Sequence, residues 1–206
     1  KKFNKEKLII KPVDNRGGIG VKIFKKNNFS KKIFNFALKK SHLRKVILEE
    51  YIEGDHYNID GLYYKNKYHL LGVSINKKMK NGFINESIYY DKKFLKDKKF
   101  INNFNKIVKK FNPKYGMLHI EVIIDKSNKI YLTEIANRGG GVKISNLVLK
   151  YVSGIDIDNY LVNINTNKLY NLKTIPEKKN VLIYFFQSKR SLNSLTLNEK
   201  NMNIIY

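Results

Sequence analysis

Apolar and polar positions divide this chain into short strands, tight polar connections and one long amphipathic helix. Apolar runs at 8–11, closed by Pro12, and at 21–24 predict two strands around a glycine-rich connection, 14–20. Ser30 is placed to cap a helix over 31–40, with Ile33, Phe36 and Ala37 on one side. Residues 46–51 predict a strand, and 57–64 with 68–75 predict a hairpin turning at Lys65-Asn66-Lys67. Residues 77–90 are polar, include Gly82, and read as a loop. The longest periodic signal covers 92–111: Phe100, Phe104, Ile107 and Phe111 recur at helical spacing with lysines opposite, and Asn112-Pro113 ends it. Strands follow at 117–124 and 130–135, helices at 142–151 and 155–162, and a last strand at 180–187. Hairpins interspersed with helices predict an α+β fold.

Composition narrows the function classes. With 42% hydrophobic and 13% aromatic residues the chain carries enough apolar material for a core. No apolar run reaches the roughly eighteen residues of a membrane span. The absence of cysteine removes disulfides, thiolate metal sites and cysteine nucleophiles, and suits a cytoplasmic protein. The 41 basic and 17 acidic residues give a net charge of +24, which would attract polyanions. Only four of the basic residues are arginines, however, and base readout leans on arginine. Abundant Lys, Asn and Ile are also what A/T-rich codons produce. Compositional drift therefore explains the charge better than a specific nucleic-acid partner. The alternative is a basic nucleic-acid-binding domain with its tyrosines as stacking platforms.

Two segments carry candidate chemistry. In the first, Gly17, Gly18 and Gly20 would let backbone N–H groups approach a phosphate, with Lys11 and Arg16 adding charge. No Gly-Lys-Ser/Thr follows, and a strand comes next, so this is neither a P-loop nor a dinucleotide fingerprint. Taken alone, the loop reads as a hairpin turn at least as readily as a phosphate cradle. In the second, a turn over 126–129 pairs Asp125 with Ile130 and sets Glu121 directly opposite Glu134. Opposed carboxylates destabilise a sheet unless something compensates. A divalent cation would do so, and Mg²⁺ uses one or two protein carboxylates plus substrate phosphates. Two solvated glutamates in a slipped register are the open alternative. Arg138 and Gly139-Gly140-Gly141 follow within reach of the same phosphate, and a surface salt bridge is the open alternative for Arg138. His42, His56, His69 and His119 show no metal-ligand spacing.

These segments, in this order, resemble the ATP-grasp superfamily, and most nearly its carboxylate–amine ligases. The resemblance rests on Lys11-Pro12 with its glycine loop, Glu49 to Gly54 (Glu-Glu-Tyr-Ile-Glu-Gly), His119-Ile120-Glu121, and Glu134-Ile135-Ala136-Asn137-Arg138-Gly139-Gly140-Gly141. It implies two α+β subdomains, 1–55 and 56–206, gripping ATP between them. Lys11 would contact the adenine and α-phosphate side, and Gly17, Gly18 and Gly20 would close over the phosphates. Glu49 with the Glu50, Tyr51 and Ile52 backbone would line the adenine slot. His56 stands where the superfamily commonly places a ribose-binding glutamate. Glu121 and Glu134 would hold Mg²⁺ and Arg138 would act on the transferring phosphoryl group. Ala136 occupies the place of a metal-binding asparagine, with Asn137 one residue later as the candidate. The implied partners are small-molecule carboxylate and amine substrates. The polar loop at 77–90 reads equally as a substrate-side loop and as an ordinary disordered connection. The superfamily usually carries a further N-terminal domain, so the resemblance also implies a fragment of a longer protein. A degenerate domain that binds nucleotide without catalysis is a further alternative.

Overall fold

The strand β1 (Lys7–Pro12) buries every second residue, Leu8, Ile10 and Pro12, so one of its faces packs on a core. It forms the centre of a three-stranded antiparallel sheet with β2 (Lys22–Lys25) and β3 (Val46–Glu50), in a computed structural model that describes residues 3–80, 84–166 and 179–186. The helix α1 (Lys31–Leu38) starts at the expected cap, the Ser30 hydroxyl accepting from the Ile33 N–H at 3.4 Å. Its Ala37 seals a small core against Leu8, Ile10 and Phe24.

The second sheet is six-stranded and antiparallel. It contains β4 (Asp55–Tyr64), β5 (Lys67–Lys78), β6 (Asn85–Tyr90), β7 (Gly116–Ile124), β8 (Ile130–Ala136) and β9 (Val181–Tyr184), in the order β8-β7-β4-β5-β6-β9. β4 and β5 are joined by a two-residue turn in which Lys65 and Asn66 both have positive φ, the geometry that matches strand twist. One face is covered by α2 (Lys98–Phe111), whose Phe104 and Val108 pack onto Ile59, Val73, Leu118, Ile120 and Val122. The other face carries a π-helical turn (Ile144–Val148), α3 (Leu149–Ser153) and α4 (Ile157–Asn165) over Leu62, Leu71, Ile88 and Met117. No helix among the described residues is long and apolar enough to cross a membrane.

The structure corrects four expectations. The supposed loop at 77–90 is mostly sheet, because β5 continues to Lys78 and β6 begins at Asn85. β6 hides in the sequence because only Ile88 and Tyr90 are buried along its polar length. The long helix starts at Lys98, not Lys92. A short 3₁₀ turn (Lys92–Lys96) precedes it, and the Asp97 carboxylate, accepting from the Phe100 N–H at 2.9 Å, begins the α-helix afresh. The helix expected from Val142 starts two residues later, as the π-helical turn. The last strand is shorter than expected, and Gln187 lies outside the described residues.

The glutamate register holds for a different reason from the expected one. The turn pairs Ile124, not Asp125, with Ile130, which by itself would put Glu121 out of step. A bulge at Thr133 restores the pairing of Glu121 with Glu134, and the Thr133 hydroxyl donates to the Glu121 carbonyl at 2.9 Å.

Phe104 is fully buried at the centre of the α2 face. Phe104→Ala should lower the unfolding free energy by about 3–5 kcal/mol. Urea denaturation checks this, and a loss below about 1 kcal/mol would contradict the packing described.

Candidate functional site

Cross-strand register builds the site from residues distant in sequence. Glu134, Glu121, Asn58, Ser74 and Tyr90 lie successively opposite one another, so one polar row crosses five neighbouring strands. Asn58 and Ser74 are buried, and Asn76 links them by donating to Asn58 Oδ1 at 2.7 Å and accepting from the Ser74 hydroxyl at 2.9 Å. Beneath this row lies Asp60, with no exposed surface, opposite His119. Asp60 takes the Tyr90 hydroxyl at 2.6 Å on one carboxylate oxygen and His119 Nδ1 at 2.7 Å on the other. The far ring nitrogen of His119 lies 3.4 Å from Glu121 Oε1.

These contacts set the ionisation of the site. Burial alone would depress the His119 imidazole, but its bonds to Asp60 and Glu121 outweigh burial and raise its pKa from 6.5 to about 10. The same histidine, through its hydrogen bond, holds the Glu121 carboxyl below its ordinary value against the opposing effect of burial. Lys78, at the end of β5, has its pKa lowered by burial, which the Glu121 charge partly offsets. His56, at the start of β4, is lowered by burial and by the Lys78 charge. His56, Lys78, His119 and Glu121 thus form one electrostatic group.

The smaller sheet places the other expected residues. Lys11 and Glu49 form an ion pair at 2.6 Å on one face of neighbouring strands. Glu50 instead anchors the N-terminal segment, accepting from the Asn4 N–H at 2.6 Å. The Tyr51 N–H donates to the Lys7 carbonyl, and Ile52 lies beyond the last ladder pair of β3. Gly17, Gly18 and Gly20 all adopt positive φ. At Gly20 the requirement is also steric, because a Cβ would come within 2.7 Å of Lys40 and Pro12 carbon atoms.

At the other end of the site, Arg138 pairs with Glu134 at 3.1 Å and donates to the Gly139 carbonyl at 3.0 Å. Asn137 donates to the Tyr115 carbonyl at 3.3 Å, and among the described residues no hydrogen bond or ion pair joins it to either glutamate. Both residues border an open cavity of about 660 Å³, lined also by Phe111, Met117, Ile157 and Leu161. Glu121 and Glu134 present half-exposed oxygen donors, which suit a hard cation. Among the described residues no three His, Cys, Asp or Glu side chains are grouped to hold a metal. The pair therefore fits Mg²⁺ that arrives with phosphates completing its shell.

Reading the sequence missed Asp60, Asn58, Asn76, Lys78 and Tyr90. Asp60 leaves the clearest signal: a charge between Ile59 and Leu62, in a stretch read as a strand, is expensive to bury unless it is partnered.

The comparisons with known proteins agree on one architecture. A family model for the ATP-grasp domain matches residues 4–146. No curated protein sequence matches. Among solved structures, the L-amino acid ligase of Bacillus licheniformis superposes with a TM-score of 0.68 at 18% identity, over 89% of this chain and 45% of that one. Biotin carboxylase of Campylobacter jejuni, in a β,γ-ATP complex, gives 0.69 at 17% identity, over 85% and 40%. The ADP complex of N5-carboxyaminoimidazole synthetase from Staphylococcus aureus gives 0.62 at 16% identity, over 85% and 45%. The chain spans less than half the length of each of these structures.

The raised His119 pKa makes stability depend on pH. The folded state binds this proton more tightly than the unfolded state does. Its stabilising contribution is therefore complete below about pH 6.5 and is lost as pH rises through about 10. The difference in urea midpoint between the natural chain and His119→Asn should shrink steadily from pH 6.5 to 10. A difference independent of pH over that range would refute the charged pairing.

Proposed function

The chain belongs to the ATP-grasp domain family, and from that membership we propose that it forms the ATP-binding part of an ATP-dependent carboxylate–amine ligase. The observation that carries this reading is the Glu121–Glu134 pair, directly opposed on the sheet face with Arg138 on one carboxylate. Nucleotide would lie between a smaller subdomain, 1–55, and a larger one, 56–206, against the linker at 51–54. Lys11 would contact the adenine and α-phosphate side. The exposed loop at Gly17 and Gly18 would cover the phosphates. Glu49 and the backbone from Glu50 to Ile52 would line the adenine slot, and His56 would face the ribose.

Glu121 and Glu134 would hold Mg²⁺, which when bound neutralises phosphate charge, with Asn137 as a candidate further donor. In the proposed reaction a carboxylate oxygen attacks the γ-phosphorus of ATP, ADP leaves, and an acyl phosphate forms. An amine nitrogen then attacks the acyl carbon, loses a proton, and displaces phosphate to leave an amide. No protein nucleophile is needed, so the work falls to charge placement and orientation. Arg138 would leave its exposed pairing with Glu134 for the developing phosphate charge. Lys78 offers a second cation, already partly desolvated beside Glu121. The cavity next to Arg138 is a candidate seat for a substrate. The lack of cysteine suits a reducing, cytoplasmic setting. Nucleotide binding without turnover is the second reading, favoured by the bond that turns Asn137 towards Tyr115.

Calorimetry with a non-hydrolysable ATP analogue tests the site. Binding should require Mg²⁺ and should vanish in the Glu121→Ala/Glu134→Ala double variant. Metal-independent binding that survives both substitutions would sink the metal assignment. Release of ADP by the full-length protein, given a carboxylate and an amine, separates a ligase from a nucleotide-binding relic.

A further inference from the structure

The proposed roles leave His119, Asp60 and Tyr90 without a task, although they are among the most buried polar groups described. Asp60 and Tyr90 have no exposed surface and His119 has 4%. Side chains so desolvated are costly unless every group is paired, and the geometry shows how each is paired. Tyr90 OH and His119 Nδ1 occupy the two oxygens of Asp60 at 2.6 and 2.7 Å. The imidazole is thereby anchored through Nδ1, and its remaining nitrogen lies 3.4 Å from Glu121 Oε1. The three residues come from β6, β4 and β7, so the ring orientation is set by the sheet itself.

The glycine loop after Arg138 rests on the same group. A Cβ on Gly140 would fall 3.0 Å from His119 Nδ1 and 3.2 Å from Asp60 Oδ1, closer than most side-chain contacts allow. The loop can sit there because residue 140 is glycine. Glu121 on one side and the loop carrying Arg138 on the other are therefore both referenced to one buried ring.

We infer that His119 is a positioning residue: held by Asp60 and Tyr90, it aims the Glu121 carboxylate at the cation that accompanies the nucleotide. This rests on the nucleotide-site reading above. Outer-sphere partners of metal ligands typically matter about 10–100-fold in metal affinity.

The two amide variants separate positioning from structure. An asparagine amide nitrogen lies near the place of Nδ1, so His119→Asn keeps the donor to Asp60 and loses the one to Glu121. A glutamine amide lies near Nε2, so His119→Gln keeps the donor to Glu121 and leaves Asp60 short of a partner. Two quantities are read on the whole chain: the urea midpoint, and the Mg²⁺ dependence of ATP-analogue affinity by calorimetry. His119→Asn should stay the more stable variant, yet weaken the Mg²⁺-dependent part of the affinity about 10–100-fold. His119→Gln should be the less stable variant and keep most of that dependence. Should His119→Gln not fold, Tyr90→Phe, which removes only the hydroxyl on Asp60, should weaken the Mg²⁺-dependent part about two- to tenfold. A merely structural histidine would move stability and Mg²⁺ dependence together. Unchanged Mg²⁺ dependence in His119→Asn overturns the positioning role and leaves the nucleotide site standing. Absence of analogue binding by the natural chain overturns both.

Discussion

A carboxylate with no exposed surface is the constraint on which the centre of this protein depends. Desolvating Asp60 costs several kcal/mol, and the sheet returns that only by supplying partners. Tyr90 and His119 are those partners, and they lie on β6 and β7, either side of the β4–β5 hairpin that carries Asp60. Satisfying the one group therefore specifies the register of the strands around it. Gly72 lies opposite Asp60 and Ala136 opposite His119 in the same cross-strand row, and Gly140 closes over both Asp60 and His119.

The paired glutamates follow from the same arrangement. Opposed carboxylates on one face should repel, but here each has its own cation: His119 for Glu121 and Arg138 for Glu134. The two pairings differ in strength. The histidine is buried and tied down from behind, whereas the Arg138–Glu134 pair is half-exposed, and such pairs contribute about 0–1 kcal/mol. One carboxylate is thus fixed, and the other can change partners at little cost. That asymmetry suits a site that must exchange an internal cation for an external one.

Most of the architecture was legible because most of it is local. Apolar runs bounded by turn residues marked β1, β4, β5, β7 and β8, and helical spacing marked the core face of α2, although Phe111 ends exposed at its last turn. What stayed hidden is what tertiary structure alone creates. The strand β6 is polar along its first half and is recruited by its neighbours β5 and β9 rather than by its own pattern. The bulge at Thr133 has no signature in spacing, yet without it the glutamates would not face each other. The short motifs singled out Lys11, Glu49, Glu121, Glu134 and Arg138, which the structure pairs as Lys11 with Glu49, Glu121 opposite Glu134, and Glu134 with Arg138. They could not show Lys78 or Tyr90: the hairpin partner of β4 was legible only to about residue 75, so Lys78 fell in a supposed loop, and nothing near Tyr90 announces that its strand runs beside β5.

The link between the two sheets is built differently from either. Tyr51 to Gly54 has no ladder of its own, and its attachments lie at its ends. The Tyr51 N–H donates to the Lys7 carbonyl, and Lys7 Nζ meets Glu53 at 2.6 Å. Gly54 approaches the Ile124 carbonyl so closely that a Cβ there would lie 2.3 Å from it. The linker is therefore pinned to β1 on one side and to the end of β7 on the other. Between those pins the backbone of Ile52 is outside both sheets. Rotation of the smaller sheet about this segment would disturb few hydrogen bonds. Rotation anywhere else would break a strand ladder, because β3 and β4 are paired up to their last residues on either side. If the two sheets close on a ligand, backbone hydrogen bonding alone directs the motion to residues 51–54.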